Sequence, residues 1–182
     1  MIRDGTGGWR HFPKPLHRPV NGPQTPGKPM NYWLMKSEPS VFGIADFARA
    51  PKRRTCWDGV RNYQVRNMLR DDFAIGDQAF FYHSSCEQPG IYGIVKVVRA
   101  GYPDPTAFDP THDHFDPKSD PATPTWFMVD VELVRPLKQP ITLERLKANA
   151  HKLSEMLILR RGNRLSITPV SAAQWKKTLA LE

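Results

Sequence analysis

The 182-residue sequence is poor in cysteine and contains no long hydrophobic run. Its two cysteines, Cys56 and Cys86, are too few for a disulfide framework or a four-cysteine zinc site, so we expect both to be reduced. No run approaches the roughly 18 apolar residues that a membrane-spanning helix needs. The first residues also lack the apolar core of a secretory signal. We therefore expect a cytoplasmic protein with no membrane partner.

Three common catalytic and nucleotide-binding motifs are missing as well. There is no G-x-S-x-G nucleophile elbow, no P-loop and no G-x-G-x-x-G motif, so the corresponding enzyme classes have no support. One stretch, DPTHDHFDP at 109–117, gathers two histidines and three aspartates. Its closely spaced prolines and acids are more typical of a polar loop than of a metal site. We expect neither a metal ion nor a cofactor.

The charge of the chain favours a polyanionic partner. Lys and Arg total 26 against 18 Asp and Glu, which gives a net charge of +8. Residues 1–29 carry half of it, with five Lys or Arg, one Asp, six prolines and five glycines. This composition predicts a flexible basic arm, although Met30 is also placed where translation could start directly before the first strand. We divide the chain into this arm and one globular domain, 30–182.

Apolar patterning predicts at least four strands and three helices in the globular domain. The first strand, YWLMK, ends in polar residues and a proline, and alternation places Trp33, Met35 and Ser37 on one face. Because strands and helices do not alternate regularly, we expect an α+β domain with a mainly antiparallel, curled sheet. The other predicted strands are 79–85, 90–98 and 126–134, and the predicted helices are 60–71, 142–153 with Thr142 as its cap, and one capped by Ser171 and Gln174.

The stretch CWDGVRNYQVRN at 56–67 combines a flat aromatic ring with cations. The face of Trp57 could stack on a nucleobase, while the following arginines hold neighbouring phosphates. The same residues also fit a purely structural interpretation, with Trp57 in the core and the arginines on a solvated helix face. The residues alone leave both interpretations open.

Seven stretches resemble the EVE domain family in sequence and in order, from residue 31 to about residue 178. They are YWLMKSEP, WDGVRNYQVRN, FFYHSSCEQPGIYGIVKV, YPDPTAFDP, FDPKS, VDVELVRPL and LRRGNRLSITPVS. The resemblance implies a PUA-like fold, a curled β-barrel of about five or six mainly antiparallel strands with short peripheral helices. It also implies kinship with YTH and ASCH domains. The implied function is non-enzymatic binding of nucleic acid with a modified base, with modified cytosine in DNA favoured over RNA.

The resemblance further implies a set of site residues. Lys36 and Ser37 match the Lys-Ser pair that ends the first strand of YTH domains, and Glu38 could accept a hydrogen bond from an exocyclic amine. Trp57 matches the first cage tryptophan of those domains, so we expect its truncation to weaken binding and leave folding nearly intact. The other predicted base-pocket residues are Trp33, Asn62, His83, Ser84 and Ser85, and the predicted phosphate contacts are Arg61, Arg66, Arg70, Arg160 and Arg161.

The sequence departs from the family pattern at HDHFDPKS, 112–119, where the family leads us to expect aromatic residues instead of histidines. Two other function classes stay open. One is an ASCH-like amidohydrolase using Lys36, Ser37 and Glu38, although three successive strand residues cannot all point into one pocket. The other is an interaction module that binds a small metabolite. A reader of this size would act through a separate effector protein.

Overall fold

Six strands form one mixed sheet in the computed structural model, which describes residues 30–182. The strands lie in the order β2-β5-β4-β3-β1-β6; β1 pairs in parallel with β3, and every other neighbouring pair is antiparallel. The expected mainly antiparallel sheet is confirmed, while the basic arm lies outside the described residues. The strands are β1 Tyr32–Ser37, β2 Arg54–Trp57, β3 Gln78–His83, β4 Gly90–Pro103, β5 Phe127–Thr142 and β6 Ile167–Val170.

Short helices connect the strands. Thr142 caps α4 by accepting a hydrogen bond from the Arg145 amide, and Ser171 and Gln174 form a capping box on α5, as the sequence predicts. No helix among residues 30–182 is long and apolar enough to cross a membrane. The helices are α1 Pro39–Phe42, α2 Ile44–Arg49, α3 Tyr63–Asn67 followed by a π-helical turn Met68–Asp72, α4 Leu143–Ala148 and α5 Ala172–Leu179, with 3-10 turns at Pro51–Arg53, Pro105–Phe108 and Leu157–Leu159.

Hydrophobic clusters pack on both faces of the sheet. Strand β1 contributes Trp33 and Met35 to one cluster and Leu34 to the other, as its alternation predicts. It pairs with β3 on one side and β6 on the other, and the two clusters cover its two faces, which explains why its sequence is apolar almost throughout. The second cluster is closed by Trp175 of α5, whose ring stacks on Phe80 with a 4.0 Å centroid separation.

The parallel pairing of β1 and β3 positions the candidate site. The two strands end in register, with Ser37 opposite His83, so their polar carboxyl ends meet at one edge of the sheet. The Ser84 amide donates to the Ser37 carbonyl oxygen at 2.9 Å and continues this pairing beyond the strands. On the other side, the Lys36 amide donates to the Ser166 carbonyl, which brings the segment before β6 to the same edge.

Candidate base-binding site and nucleic-acid interface

Six predicted site residues come together at the ends of β1 and β3, and we call them the β1–β3 edge. Ser85 follows the strand with a φ of 53°, a left-handed conformation that turns the chain back toward β4. Strand β4 then begins at Gly90, directly opposite His83. The members of the β1–β3 edge are Lys36, Ser37, Glu38, His83, Ser84 and Ser85.

Within the described part of the chain, the edge contains one cation and one carboxylate without a partner. The Ser37 hydroxyl is already used, because it donates to the Phe42 carbonyl oxygen at 2.7 Å. In contrast, the side chains of Lys36 and Glu38 have no hydrogen-bond or ion-pair partner within residues 30–182. Lys36 is half-buried, and burial lowers the pKa of its ammonium group. An unpaired donor and an unpaired acceptor are therefore adjacent to the end of β1.

His83 is a fixed, neutral part of the edge. Only 6% of it is exposed, and its ring stacks on Tyr92 with a centroid separation of 4.0 Å. Its Nε2 accepts a hydrogen bond from the Ile44 amide at 3.0 Å, so the neutral ring carries its proton on Nδ1. Burial lowers the pKa of His83, which keeps the imidazole uncharged near neutral pH.

We expect the stability contributed by His83 to fall in acid. An unfolded chain binds a proton at His83 near pH 6.5, whereas the folded protein resists it until the pH falls through the lowered pKa. The contribution is thus complete above about pH 6.5 and is lost below it. Urea unfolding of the wild type and of His83→Gln, compared across this range, measures the effect. A difference between the two proteins that does not change with pH would contradict it.

Trp57 lies behind the edge rather than on it. Its side chain is 9% exposed and belongs to the same hydrophobic cluster as Trp33. The ring packs edge-on against Phe81 at a centroid distance of 6.0 Å, and Phe81 in turn lies 5.4 Å from His83. The structure therefore presents Trp57 as a core residue that supports the edge through Phe81, in place of the open stacking face expected from the sequence.

Two other predicted pocket residues have structural partners. The Trp33 indole is buried, stacks on Phe73 at 4.3 Å and donates from Nε1 to Asp77 at 3.2 Å. Asn62 caps α3, because its Oδ1 accepts from the Val65 amide at 3.0 Å. No hydrogen bond or ring contact within residues 30–182 joins either side chain to the β1–β3 edge. Both side chains are engaged in contacts within the fold.

Arg61, a predicted phosphate contact, is committed to internal hydrogen bonds. Its Nη1 lies 2.8 Å from Oδ2 of the fully buried Asp104, its Nη2 donates to the Thr106 hydroxyl at 3.1 Å, and its Nε donates to the His114 carbonyl at 2.9 Å. Burial acts to raise the pKa of Asp104, but hydrogen bonds from Arg61, Thr106 and the Gly59 amide outweigh it and hold that pKa low. Arg61 therefore fastens the 104–114 segment to the chain after β2.

The other arginines after β2 lie against aromatic rings. We give the name cation–aromatic ridge to Tyr63, Arg66 and Arg70 with the rings of Trp126 and Phe127. The guanidinium carbon of Arg66 lies 5.1 Å from the centre of Tyr63, and that of Arg70 lies 5.9 Å from the centre of Phe127. Tyr63 packs at 4.9 Å from Trp126 and is nevertheless 62% exposed. This surface presents cations and an aromatic ring to solvent.

Arg160 and Arg161 lie in the segment that leads to β6. Arg160 pairs with Glu155, whereas Arg161 is exposed and has no side-chain partner within residues 30–182. The segment continues to Ser166, whose carbonyl accepts a hydrogen bond from the Lys36 amide. Their role in phosphate binding stays a prediction.

Sequence reasoning missed two aromatic residues beside these groups. Tyr92 stacks on His83 where the pairing of β3 with β4 shifts by one residue, and such a bulge leaves no clear mark in the sequence. Tyr63 could have been found, because an aromatic residue three positions before an arginine at a helix start is available for a cation–π contact. Groups of three or more metal-ligating side chains are absent from residues 30–182.

An α+β fold built on a six-stranded mixed sheet, with short helices and a polar strand edge, defines a PUA-like domain. The EVE domain model matches residues 31–181, and the chain belongs to the EVE domain family. It is 46% identical over 168 residues to mouse Thymocyte nuclear protein 1, covering 84% of this chain and 74% of that protein. The resemblance to the family stated from the sequence is thereby confirmed.

Solved structures resemble this one closely. A crystal structure of a Pseudomonas putida protein is 48% identical, with a TM-score of 0.78 over 82% of this chain and 98% of that chain. Human THYN1, solved in complex with DNA that contains 5-methylcytosine, is 44% identical, with a TM-score of 0.78 over 83% of this chain and 96% of that chain.

The expected cytoplasmic location is wrong by these comparisons. The mouse, human and rat relatives are named thymocyte nuclear proteins, which points to the nucleus. The expectation rested on the lack of a membrane span and of a secretory signal. Those two absences separate secreted and membrane proteins from the rest, but they do not distinguish the cytoplasm from the nucleus.

Proposed function

We propose that this protein is a non-enzymatic reader that binds DNA containing a modified cytosine. The observation that carries the proposal is the complex of human THYN1 with 5-methylcytosine DNA, since that chain matches this one over 96% of its length at a TM-score of 0.78. The net charge of +8 supports a DNA partner, because lysine and arginine contacts to phosphates release counterions.

The β1–β3 edge is the proposed base-binding site. The polar edge of cytosine offers an amine that donates and a carbonyl and ring nitrogen that accept. The carboxylate of Glu38, unpaired within residues 30–182, is suited to the amine, and the ammonium of Lys36, unpaired within the same range, is suited to the acceptors. A base can reach such groups only after it leaves the duplex stack, which costs a few kcal/mol that the new contacts must offset. The proposal therefore includes base flipping.

The direct test is binding to matched oligonucleotides. Their target position carries cytosine, 5-methylcytosine or 5-hydroxymethylcytosine, and an RNA with N6-methyladenine is the comparison. Tighter binding to a modified cytosine, with affinity that falls as salt rises, is the expected result. Equal affinity for all of them would overturn the reader proposal. Hydrolysis of N4-acetylcytidine that Lys36→Ala abolishes would instead establish an enzyme.

Lys36→Met should reduce the affinity for modified-cytosine DNA about tenfold to a hundredfold and leave the melting temperature unchanged or slightly higher. Hydrogen bonds from a charged donor contribute about 1.5–3 kcal/mol, and here they would be lost in the complex alone. The free protein loses only an unpaired ammonium group whose burial is unfavourable. Lys177→Met, at an exposed position of α5, is the matched control. Equal losses of affinity in the two variants would exclude a direct contact by Lys36.

A further inference from the structure

Tyr63 is a large aromatic side chain that the fold holds at the surface. It is the first residue of α3, it is 62% exposed, and Trp126 packs against its ring at 4.9 Å. Trp126 is itself fixed, because its Nε1 donates to Asp116 at 2.6 Å. An exposed ring on a rigid support loses little conformational freedom when a partner packs on it.

The neighbouring cation is also held in place. Arg66 donates from Nη1 to the Thr125 carbonyl at 2.6 Å and from Nε to the Asn67 side chain at 2.8 Å, and its guanidinium lies over Tyr63. None of these partners is a carboxylate, so the positive charge of Arg66 is not neutralised by a direct ion pair within residues 30–182. Arg66 can thus meet a phosphate without first breaking a salt bridge.

Arg70 differs from Arg66 in its electrostatics. Its Nε and Nη2 both donate to Asp71 at 2.7 Å, in a two-point ion pair on the surface. That pair lowers the net positive charge of the ridge at the position next to Arg66. Among the described residues, the ridge therefore contains one cation without a direct ion pair, Arg66, and one cation, Arg70, that is paired directly with Asp71.

We propose that the cation–aromatic ridge is a second DNA-contacting surface, distinct from the base-binding site and indifferent to the cytosine modification. Arg66 binds a backbone phosphate, and the exposed part of Tyr63 packs against a nucleotide beside the one that is read. A DNA strand is the partner because it offers, at short and regular spacing, both the anion and the flat apolar surface that the ridge matches. The proposal rests on the proposed DNA binding. In it, the ridge contributes to the affinity for DNA but not to the preference for a modified cytosine.

The test is titration of Tyr63→Ala, Tyr63→Phe and Arg66→Ala with the same oligonucleotide carrying cytosine or 5-methylcytosine. Tyr63→Ala should weaken binding to both about fivefold to a hundredfold, while Tyr63→Phe keeps most of the affinity. Arg66→Ala should weaken both and reduce the slope of log affinity against log salt by about 1. Lys177→Ala on α5 is the charge control and should change neither the affinity nor the slope.

The ratio of the affinities for the two oligonucleotides distinguishes the ridge proposal from the reader proposal. A wild type that prefers 5-methylcytosine, with the same ratio in Tyr63→Ala at lower affinity, supports both proposals. If the wild type shows no preference but Tyr63→Ala still binds DNA more weakly, the reader proposal is overturned and the ridge proposal is supported. Unchanged affinity in Tyr63→Ala, or a loss of affinity for the modified oligonucleotide alone, overturns the ridge proposal.

Asp71→Asn should strengthen DNA binding, in contrast to the substitutions of Tyr63 and Arg66. Removal of this carboxylate frees Arg70 and takes one negative charge from the ridge. Affinity for both oligonucleotides should rise at least about twofold at low salt, and the gain should fade as salt rises. Unchanged or weaker binding would place the DNA away from the ridge.

Discussion

Arg61→Ala lowers the free energy of unfolding by about 3–5 kcal/mol, the range for removing one partner of a buried ion pair. Its partner Asp104 is fully buried, and the side chain of Arg61 is only 22% exposed. After the substitution, Asp104 keeps the hydroxyl of Thr106 and two backbone amides as donors but has no cation. The 104–114 segment also loses its attachment to Arg61 through the His114 carbonyl.

Chemical denaturation at neutral pH measures this loss, and Arg161→Ala is the control because Arg161 is exposed and unpaired within residues 30–182. The control should lie within about 0.5 kcal/mol of the wild type. The deficit of Arg61→Ala should shrink as the pH falls, because the buried Asp104 can then take up a proton and lose its charge. A deficit below about 1 kcal/mol, or one that grows in acid, would show that the ion pair is not structural.

The sequence could predict the elements whose signals are local. Strand β1 is an apolar run that ends in Lys36 and Ser37 shortly before Pro39, and α5 has both members of its capping box within four residues. The ordered motifs identify the EVE domain family because they extend over nearly the whole globular domain. Lys36 and Ser37 are positioned by the same short motif, so their place at the end of a buried strand could also be predicted.

The partners of the site residues could not be predicted, because contacts across the fold decide them. Arg61 is a structural residue only because Asp104, 43 positions later, is buried beside it. Trp57 is a core residue because it meets Phe81 from another strand. Strand β2 was missed since its four residues are mostly exposed, and a short polar edge strand resembles a loop in sequence.

Some of the predicted site residues lie on two surfaces with different chemistry. The β1–β3 edge has an unpaired donor and acceptor of the kind that distinguish one base from another, whereas the ridge has an aromatic ring and a cation that fit any nucleotide. In the sheet, Phe127 of the ridge lies at the start of β5, whereas Thr142 at the end of that strand lies opposite Gly90, the neighbour of His83. The two proposals therefore predict that selectivity and affinity change with separate substitutions.

Trp57→Ala should destabilise the protein by about 3–5 kcal/mol, as expected for truncation of a large buried aromatic residue. The melting temperature should fall by about 6 to 20 °C, because each kcal/mol corresponds to about 2–4 °C in a domain of this size. The reason is the cavity left beside Phe81 in the cluster that also contains Val60 and Val129. This outcome reverses the sequence-based expectation that folding would stay nearly intact.

Thermal unfolding of Trp57→Ala and Trp57→Phe, together with DNA titration well below both midpoints, decides between a core and a pocket role for this ring. Trp57→Phe keeps an aromatic ring against Phe81 and should lose much less stability than Trp57→Ala. A core role predicts that Trp57→Phe also keeps its preference for 5-methylcytosine, because the β1–β3 edge stays supported from behind. A melting temperature of Trp57→Ala within about 4 °C of the wild type, together with lost discrimination, would show instead that the indole itself stacks on the base. The polar groups of the edge would then need Trp57 as the wall of their pocket.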